Sequence, residues 1–405
     1  MRDFFHSFSF FNSIFVAKGE KFIDFFAFLQ NINIFKKIAR KKVNRLFFAY
    51  IIYVDFRQMM KRREYWVMNY KSVVDCCLEN ERQNLSVYAF HTADTRGREK
   101  PYNVSDVRTE FQRDRDRITH CQSFRRLMYK TQVFLSPTGD HYRTRMTHTL
   151  EVTQIARIIA RALRLNEDLT EAAALGHDLG HTPFGHAGEY AMQKCFDSGF
   201  THYKQSLRVV ELLENDGEGL NLTWEVRDGI VNHTGNHIAS TLEGVIVKYA
   251  DRIAYINHDI DDACRAGILS VSDIPAGIRS ILGETHSDRI NTMVMSIIRA
   301  SSARPKIEME SDVAQATLAL RSFLFERVYR NPIAKGEESK AQDMLMYLFE
   351  YFVKHPDKMP DLYKKRLYID SAERCACDFI SGMTDRYAIE VYTDLCIPKV
   401  WRGKQ

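Results

Sequence analysis

The side chains best suited to chemistry crowd into Ala174-Leu-Gly-His-Asp-Leu-Gly-His-Thr-Pro-Phe-Gly-His-Ala-Gly-Glu189. Within thirteen residues this stretch holds an adjacent His177-Asp178 pair, two further histidines at His181 and His186, and a carboxylate at Glu189. Neutral imidazole offers a nitrogen and Asp a hard oxygen, and side by side they suit a divalent cation. One His-Asp pair at a helix end reads equally well as polar residues near solvent. Three histidines in ten residues, framed by glycines, favour a site. A second concentration lies between Leu242 and Leu269, where Asp251, Tyr255, Asp259 and Asp262 recur at intervals of four, four and three. That spacing puts them on one stripe of a helix. The stripe reads as a solvated face or as a ligand-bearing wall. Its apolar flanks, among them Val245, Ile246, Ala250, Ile253 and Ile256, favour the wall, because carboxylates are rarely buried unless paired or metal-bound.

These groups need elements to position them. Leu169 to Leu179 reads as a helix capped by Asn166 and ending near Gly180, with Pro183 forbidding continuation. His186 and Glu189 then stand three apart, the spacing that brings side chains together on a helix's first turn. Before them, Arg143-Thr-Arg-Met-Thr-His-Thr-Leu150 opens a helix whose apolar positions, Leu150, Ile155, Ile158, Ile159, Ala162 and Leu163, keep a 3.6-residue period. Another helix starts near His202. Upstream, Glu64 to Gln83 reads as a charged helix, and Thr95-Arg-Gly-Arg98 as an anion contact or a solvated turn. Arg108 to Arg117 is a densely charged helix of alternating sign. It runs into Phe124-Arg-Arg-Leu-Met-Tyr-Lys-Thr-Gln-Val-Phe134, where three cations and Gln132 adjoin an apolar stripe, for polyphosphate or for an interface. Helical signals continue to Trp401, with irregular pieces at Ala303–Glu310 and Pro332–Glu338 that could hold a strand or a loop. With no internal repeat and few period-2 runs, the expected class is all-α.

The 405 residues are ample for a buried core, and 45% apolar residues with nine prolines describe an ordinary soluble protein. Eight cysteines show no repeated metal-ligand spacing, so reduced thiols in a cytoplasmic setting are expected. Residues 1–58 are different. They hold fourteen of the twenty-six phenylalanines and ten Lys/Arg against four Asp/Glu, so the net +5 of the chain belongs to this extension, and the body supplies no argument for nucleic-acid binding. Its uncharged runs fall short of the ~18–20 residues of a spanning helix. Two readings stand: translation starting at Met59, Met60 or Met68, which is favoured, or a peripheral anchor built from aromatic patches and the Lys36–Arg45 cluster. No stable membrane association is expected.

The scattered set His148, His177-Asp178 and Asp251 resembles the HD superfamily of metal-dependent phosphohydrolases. More narrowly, Gly176 to Glu189 is similar to the bacterial deoxyguanosinetriphosphate triphosphohydrolases and their dGTPase-like relatives. Arg113-Asp-Arg-Asp-Arg117, Phe124-Arg-Arg-Leu127, Lys130-Thr-Gln-Val-Phe134, Gln205-Ser-Leu-Arg208, His258-Asp-Ile-Asp-Asp262 and Gly382-Met-Thr-Asp-Arg-Tyr387 fit the same family. The resemblance runs from about Leu85 to Trp401. Departures are the extension to Gln58 and Thr182, where family members often carry Pro.

The resemblance implies an all-α HD-domain fold, with an HD core over about 120–270 and C-terminal helices over about 271–405. It implies that His148, His177, Asp178 and Asp251 bind one divalent metal ion, Mg²⁺, Mn²⁺ or Fe²⁺, and that the substrate is a dNTP, cleaved to deoxynucleoside and inorganic triphosphate. His186 matches the family's catalytic histidine, with Glu189 orienting it, and His181 and His202 match positions lining the phosphates and the attacking water. Arg145 and Arg252 are candidate phosphate contacts, while Gln132, Tyr255 and Asp259 match residues around the deoxyribose. A homo-oligomer and a nucleotide activator are expected by the same likeness. The alternatives are another HD nucleotidase or phosphodiesterase, or a catalytically slow dNTP-binding regulator.

Overall fold

A computed structural model describes residues 73–102, 107–132, 143–196, 199–330 and 336–398. The extension to Gln58 and the alternative starts lie outside the described residues, as does the beginning of the charged helix expected from Glu64, whose described part is helical over 73–84. Every regular element among the described residues is a helix, and the one β-type pairing is an isolated antiparallel bridge between Thr131 and Thr144. The all-α expectation holds. The described stretch 303–310 carries no strand, whereas most of Pro332–Glu338 lies outside the described residues.

The helices that frame the site are α1 (Glu110–His120), α2 (Gln122–Arg126), α3 (Arg145–Ala162), α4 (Glu167–Gly176), α5 (Gly185–Cys195), α6 (His202–Arg208), α7 (Trp224–Val231) and α8 (Leu242–Arg265). After them come α9 (Ala276–Leu282), α10 (His286–Ser301), α11 (Ser311–Leu324), α12 (Glu338–Lys354), α13 (Asp361–Arg366), α14 (Ala372–Ser381) and α15 (Asp385–Cys396). Their starts are set by local chemistry. Thr144, Asn166, Thr241 and Thr384 each accept a hydrogen bond from a backbone N–H of the first turn of α3, α4, α8 and α15 respectively, which satisfies a donor that the helix itself leaves unpaired.

Helix α4 is apolar on two sides and serves two cores. Ala173 and Ala174 face a cluster built from α3, α8, α10 and α11, including Ile155, Ile159, Ile246, Ile253, Met293, Ile297 and Leu320. Leu169, Ala172 and Leu175 face another, with Phe111 and Ile118 of α1 and Val226 and Ile230 of α7. A helix buried nearly all round is held firmly in place, with Leu169 and Leu175 each contributing about 1.5–3 kcal/mol by leaving water. A third cluster joins Ala187, Ala191 and Met192 of α5 to Leu345, Leu348 and Phe352 of α12 and Phe379 and Ile380 of α14.

The charged segments upstream resolve into internal pairing. Arg98 lies against Asp114 and donates to Glu110 Oε2 at 2.8 Å, and Glu225 accepts from Thr95 Oγ1 at 2.6 Å and Arg96 N–H at 2.8 Å. The anions that Thr95–Arg98 meets are therefore this chain's own carboxylates. No helix among the described residues is long and apolar enough to cross a membrane.

Candidate metal centre and catalytic cleft

Three elements converge on one buried spot. His148 lies in the first turn of α3, His177 and Asp178 follow directly on α4, and Asp251 lies in α8, which packs against both. The α4 helix ends at Gly176, earlier than the Gly180 that its apolar pattern suggests. The reason is Ser206 of α6: its hydroxyl accepts from Gly180 N–H at 2.9 Å and donates to His177 O at 2.7 Å. This pulls the backbone out of the helix just where His177 and Asp178 must face the centre. Gly180 packs so closely on the Gln205–Ser206 backbone that a Cβ there has no room.

The His177 Nδ1–H is donated to Ala174 O at 2.6 Å, which leaves Nε2 as a lone-pair donor. That nitrogen is buried without a hydrogen-bond partner, 3.7 Å from Asp178 Oδ2 and 3.9 Å from Asp251 Oδ1. His148 Nε2 lies 3.1 Å from the same Asp251 oxygen. Donor atoms of His148, His177 and Asp178 all lie within 4.8 Å of one another, close enough for a single ion, and Asp251 adjoins the two histidines. Charge fits too. Burial works to raise the Asp178 pKa, but Arg145, His177 and His181 outweigh it and hold the carboxyl well below its usual range. For Asp251, burial is likewise outweighed by the hydrogen bond to His148 and by His177, and the pKa falls to about 2. Two ionised carboxylates around an orphaned imidazole nitrogen make a candidate cation site.

Arg145, the first residue of α3, donates to Asp178 Oδ2 at 2.6 Å and to Gln132 O at 3.4 Å. Beside the centre stands a second cluster. Glu189 Oε1 accepts from the His202 backbone N–H and stands against its ring Nδ1, both at 3.0 Å, while Oε2 is 3.8 Å from His186 Nδ1. The Glu189 carboxylate is thus closer to His202 than to His186, whose side chain is 77% exposed. His181 stacks on His202 with ring centroids 4.8 Å apart. Burial alone would discharge His202, but Glu189 overcomes it and the pKa is raised; burial and Arg145 keep His181 neutral, well below its ordinary value.

One member of this cluster escaped the sequence reading. His233 lies just past α7, donates Nδ1–H to Ile230 O at 2.7 Å, and sets Nε2 3.3 Å from His202 Nε2. With Asp178 and His202 it forms a close donor group. It lies in Asn232-His-Thr-Gly-Asn-His237, a polar segment after the helix with no acidic neighbour to mark it.

Farther along α8, Tyr255 is half-buried and Asp259 buried; the Tyr329 hydroxyl, carried on a π-helical turn over Phe325–Tyr329, donates to Asp259. Burial pushes the Asp259 carboxyl up to about 7. Asp259 Oδ1 and Gln132 Oε1 are both buried without partners. Arg252 is half-buried next to Asp251. Two of the three cations after Phe124 turn inward to carbonyls: Lys130 Nζ donates to His181 O at 2.5 Å and Ser381 O at 2.8 Å, and Arg126 to Gly382 O at 3.3 Å, while Arg125 stays exposed. Thr182, fully buried, donates to Gly185 O at 3.1 Å and tightens the turn where the family often has Pro.

The chain is similar to known proteins over most of its length. The HD domain model matches residues 145–256, and the phosphohydrolase-associated domain matches residues 307–394. The deoxyguanosinetriphosphate triphosphohydrolase-like protein of Caldanaerobacter subterraneus subsp. tengcongensis is 55% identical over 323 residues, 80% of this chain and 95% of that protein. Its counterpart in Desulfatibacillum aliphaticivorans is 47% identical over 339 residues, 79% of this chain and 97% of that protein. A phosphohydrolase crystal structure from Bacteroides thetaiotaomicron aligns with TM-score 0.46 and 19% identity over 70% of this chain and 68% of that one. The chain therefore belongs to the deoxyguanosinetriphosphate triphosphohydrolase-like family of HD-domain phosphohydrolases.

Proposed function

We propose that the chain removes the whole triphosphate from a deoxynucleoside triphosphate, dGTP being the first to test, at a centre where His148, His177, Asp178 and Asp251 hold one divalent cation. The observation that carries this reading is the orphaned, buried His177 Nε2 set between two ionised carboxylates. Mg²⁺, Mn²⁺ and Fe²⁺ all suit two imidazoles and two carboxylates. When bound, such a cation polarises the α-phosphate and offsets the charge on its oxygens.

The chain's own groups do the rest. A water oxygen attacks the α-phosphorus, the bond from phosphorus to the 5′ oxygen breaks, and His186 delivers a proton to that leaving oxygen. Its exposure at the mouth of α5 lets it meet an incoming nucleotide. Glu189 anchors His202 and stands within ion-pair range of His186, so it orients both. His181 and His202, stacked, line the path of water and phosphate; Arg145 and Arg252 contact phosphate oxygens. Gln132 and Asp259 engage the 3′-hydroxyl, which would satisfy their unpartnered oxygens, and Tyr255 crowds a 2′-hydroxyl. The division into an HD core to about 270 and C-terminal helices, a homo-oligomer, a nucleotide activator and a cytoplasmic setting with its free cysteines complete the proposal.

The test incubates the purified full chain with each dNTP and Mg²⁺ or Mn²⁺ and resolves products by anion exchange. Deoxynucleoside with inorganic triphosphate, lost in His186→Ala, is expected; monophosphate or pyrophosphate would move the chain to another HD activity.

A further inference from the structure

The two candidate histidine ligands are held in different ways. His177 donates its second ring N–H to a main-chain carbonyl, Ala174 O, so its tautomer is secured by the helix itself. Among the described residues, no carbonyl accepts from the His148 ring. Its Nδ1 faces another imidazole, His258 Nδ1, at 3.5 Å, and the two rings meet edge to face. His258 in turn sets Nε2 3.0 Å from Glu151 Oε2.

We infer that Glu151 and His258 are positioning residues of the centre, a carboxylate–imidazole relay that fixes which nitrogen of His148 faces the cation. With neutral rings, and a cation taking the place of the hydrogen bond between His148 Nε2 and Asp251, one arrangement of protons serves the relay. Glu151 is acceptor-only, so His258 carries its proton on Nε2 and keeps a lone pair on Nδ1. His148 then donates Nδ1–H to that lone pair and presents the Nε2 lone pair beside Asp251. A second partner of this kind orients a ligating ring and raises its basicity.

Helix geometry builds the relay from the same two helices that supply ligands. On α3, His148 and Glu151 are three apart; on α8, Asp251 and His258 are seven apart, two turns along one face. Each helix contributes one ligand and one relay member. Arg143 braces the outer end, donating from Nε to Glu151 Oε2 at 3.1 Å and reaching Asp262 Oδ1 at 3.2 Å and Asp261 Oδ2 at 3.4 Å. His286, paired with Asp261 at 3.4 Å, stands on the far side of the His258 ring. The His258-Asp-Ile-Asp-Asp262 motif thereby gains a purpose: His258 for the relay, Asp261 and Asp262 for its brace.

The inference rests on reading His148 as a metal ligand, and one experiment separates the two. Metal-free full-length protein is titrated with Mn²⁺ alone by calorimetry, and its Co²⁺ absorption spectrum is recorded, for the parent and for His148→Ala, His258→Phe, His258→Asn and Glu151→Ala. His258→Phe keeps the ring volume and removes the acceptor; its Mn²⁺ affinity is expected to fall about 10–100-fold, with the Co²⁺ bands shifted and the far-UV circular dichroism unchanged. His258→Asn, which retains an acceptor near Nδ1, recovers part of the loss. Glu151→Ala, at the more exposed end, follows His258→Phe in direction and decides the matter alone should the buried variant not fold. Mn²⁺ affinities within about twofold of the parent in His258→Phe and Glu151→Ala, alongside lost binding in His148→Ala, overturn the relay and leave the ligand reading standing. Binding that survives His148→Ala overturns both.

Discussion

Asp385, the first residue of α15, accepts the backbone N–H of Phe184 at 2.9 Å. The C-terminal helices thereby hold the entry to α5, which carries His186 and Glu189. Phe184 is left-handed, with φ of 61°, a conformation that costs a non-glycine residue roughly 1–2 kcal/mol. The second Asp385 oxygen accepts from Thr131 N–H at 2.9 Å and from its hydroxyl, next to Gln132. Asp385→Ala strands these donors in a buried place. The expected loss is about 2–4 kcal/mol in urea unfolding, with dNTP turnover falling further than stability alone explains. Asp385→Asn, keeping one acceptor, loses less. A Phe184 turn that needs no support would show as parental turnover in Asp385→Ala.

Ser206 is the single side chain that bridges Gly180 N–H and His177 O. Ser206→Ala removes both bonds without adding bulk. The expected cost is about 1–3 kcal/mol, and because the lost bonds position His177 and Asp178, Mn²⁺ affinity falls with it. Calorimetry and chemical denaturation on one preparation measure both; stability lost at constant Mn²⁺ affinity would show that the bridge does not orient the ligands.

Glu189 grips His202 through one oxygen and faces His186 with the other. Glu189→Gln preserves the shape and removes the charge that raises the His202 pKa. The expected outcome is a drop of about 10²-fold in kcat with KM little changed, since general acid–base groups are worth roughly 10²–10⁴. A rise in KM at constant kcat would assign Glu189 to substrate binding.

Glu243, buried beneath Phe90 and Asn166, accepts both backbone N–H groups on Oε1, at 2.9 and 3.0 Å. Burial raises its pKa from 4.5 to about 7. Between these values the folded chain holds a proton that the unfolded chain has lost. Its contribution to stability is therefore complete below pH 4.5 and disappears as pH rises through 7, about 3 kcal/mol in all. Glu243→Gln keeps the acceptor and cannot ionise. The urea midpoint of the variant should exceed that of the parent at pH 8, and the difference should vanish near pH 4.5. A difference independent of pH would mean that Glu243 ionises normally in the folded chain.

Much of the fold was legible because its signals are local. Apolar periodicity marks α3, α4 and α8, and caps such as Asn166 act within three residues. The carboxylate stripe from Asp251 to Asp262 does lie along one helix. What stayed hidden depends on distant partners. The early end of α4 is imposed by Ser206, and His233 acquires its neighbours only when α7 packs beside α6. The cations after Phe124 suggested polyphosphate or an interface, yet Lys130 is buried against the carbonyls of His181 and Ser381, which lie far apart in the sequence. The role of Asp385 within Gly382-Met-Thr-Asp-Arg-Tyr387 was equally hidden, because its partner Phe184 lies about two hundred residues upstream.

The central claim is that phosphorus–oxygen cleavage at the α-phosphate occurs at this centre. The most direct measurement is hydrolysis of dGTP by the Mn²⁺-loaded full chain in ¹⁸O-labelled water, with mass spectrometry of both products. One ¹⁸O in the inorganic triphosphate and none in the deoxyguanosine is predicted, with no turnover in Asp178→Asn. Label in the nucleoside, or release of pyrophosphate or monophosphate, would contradict the account.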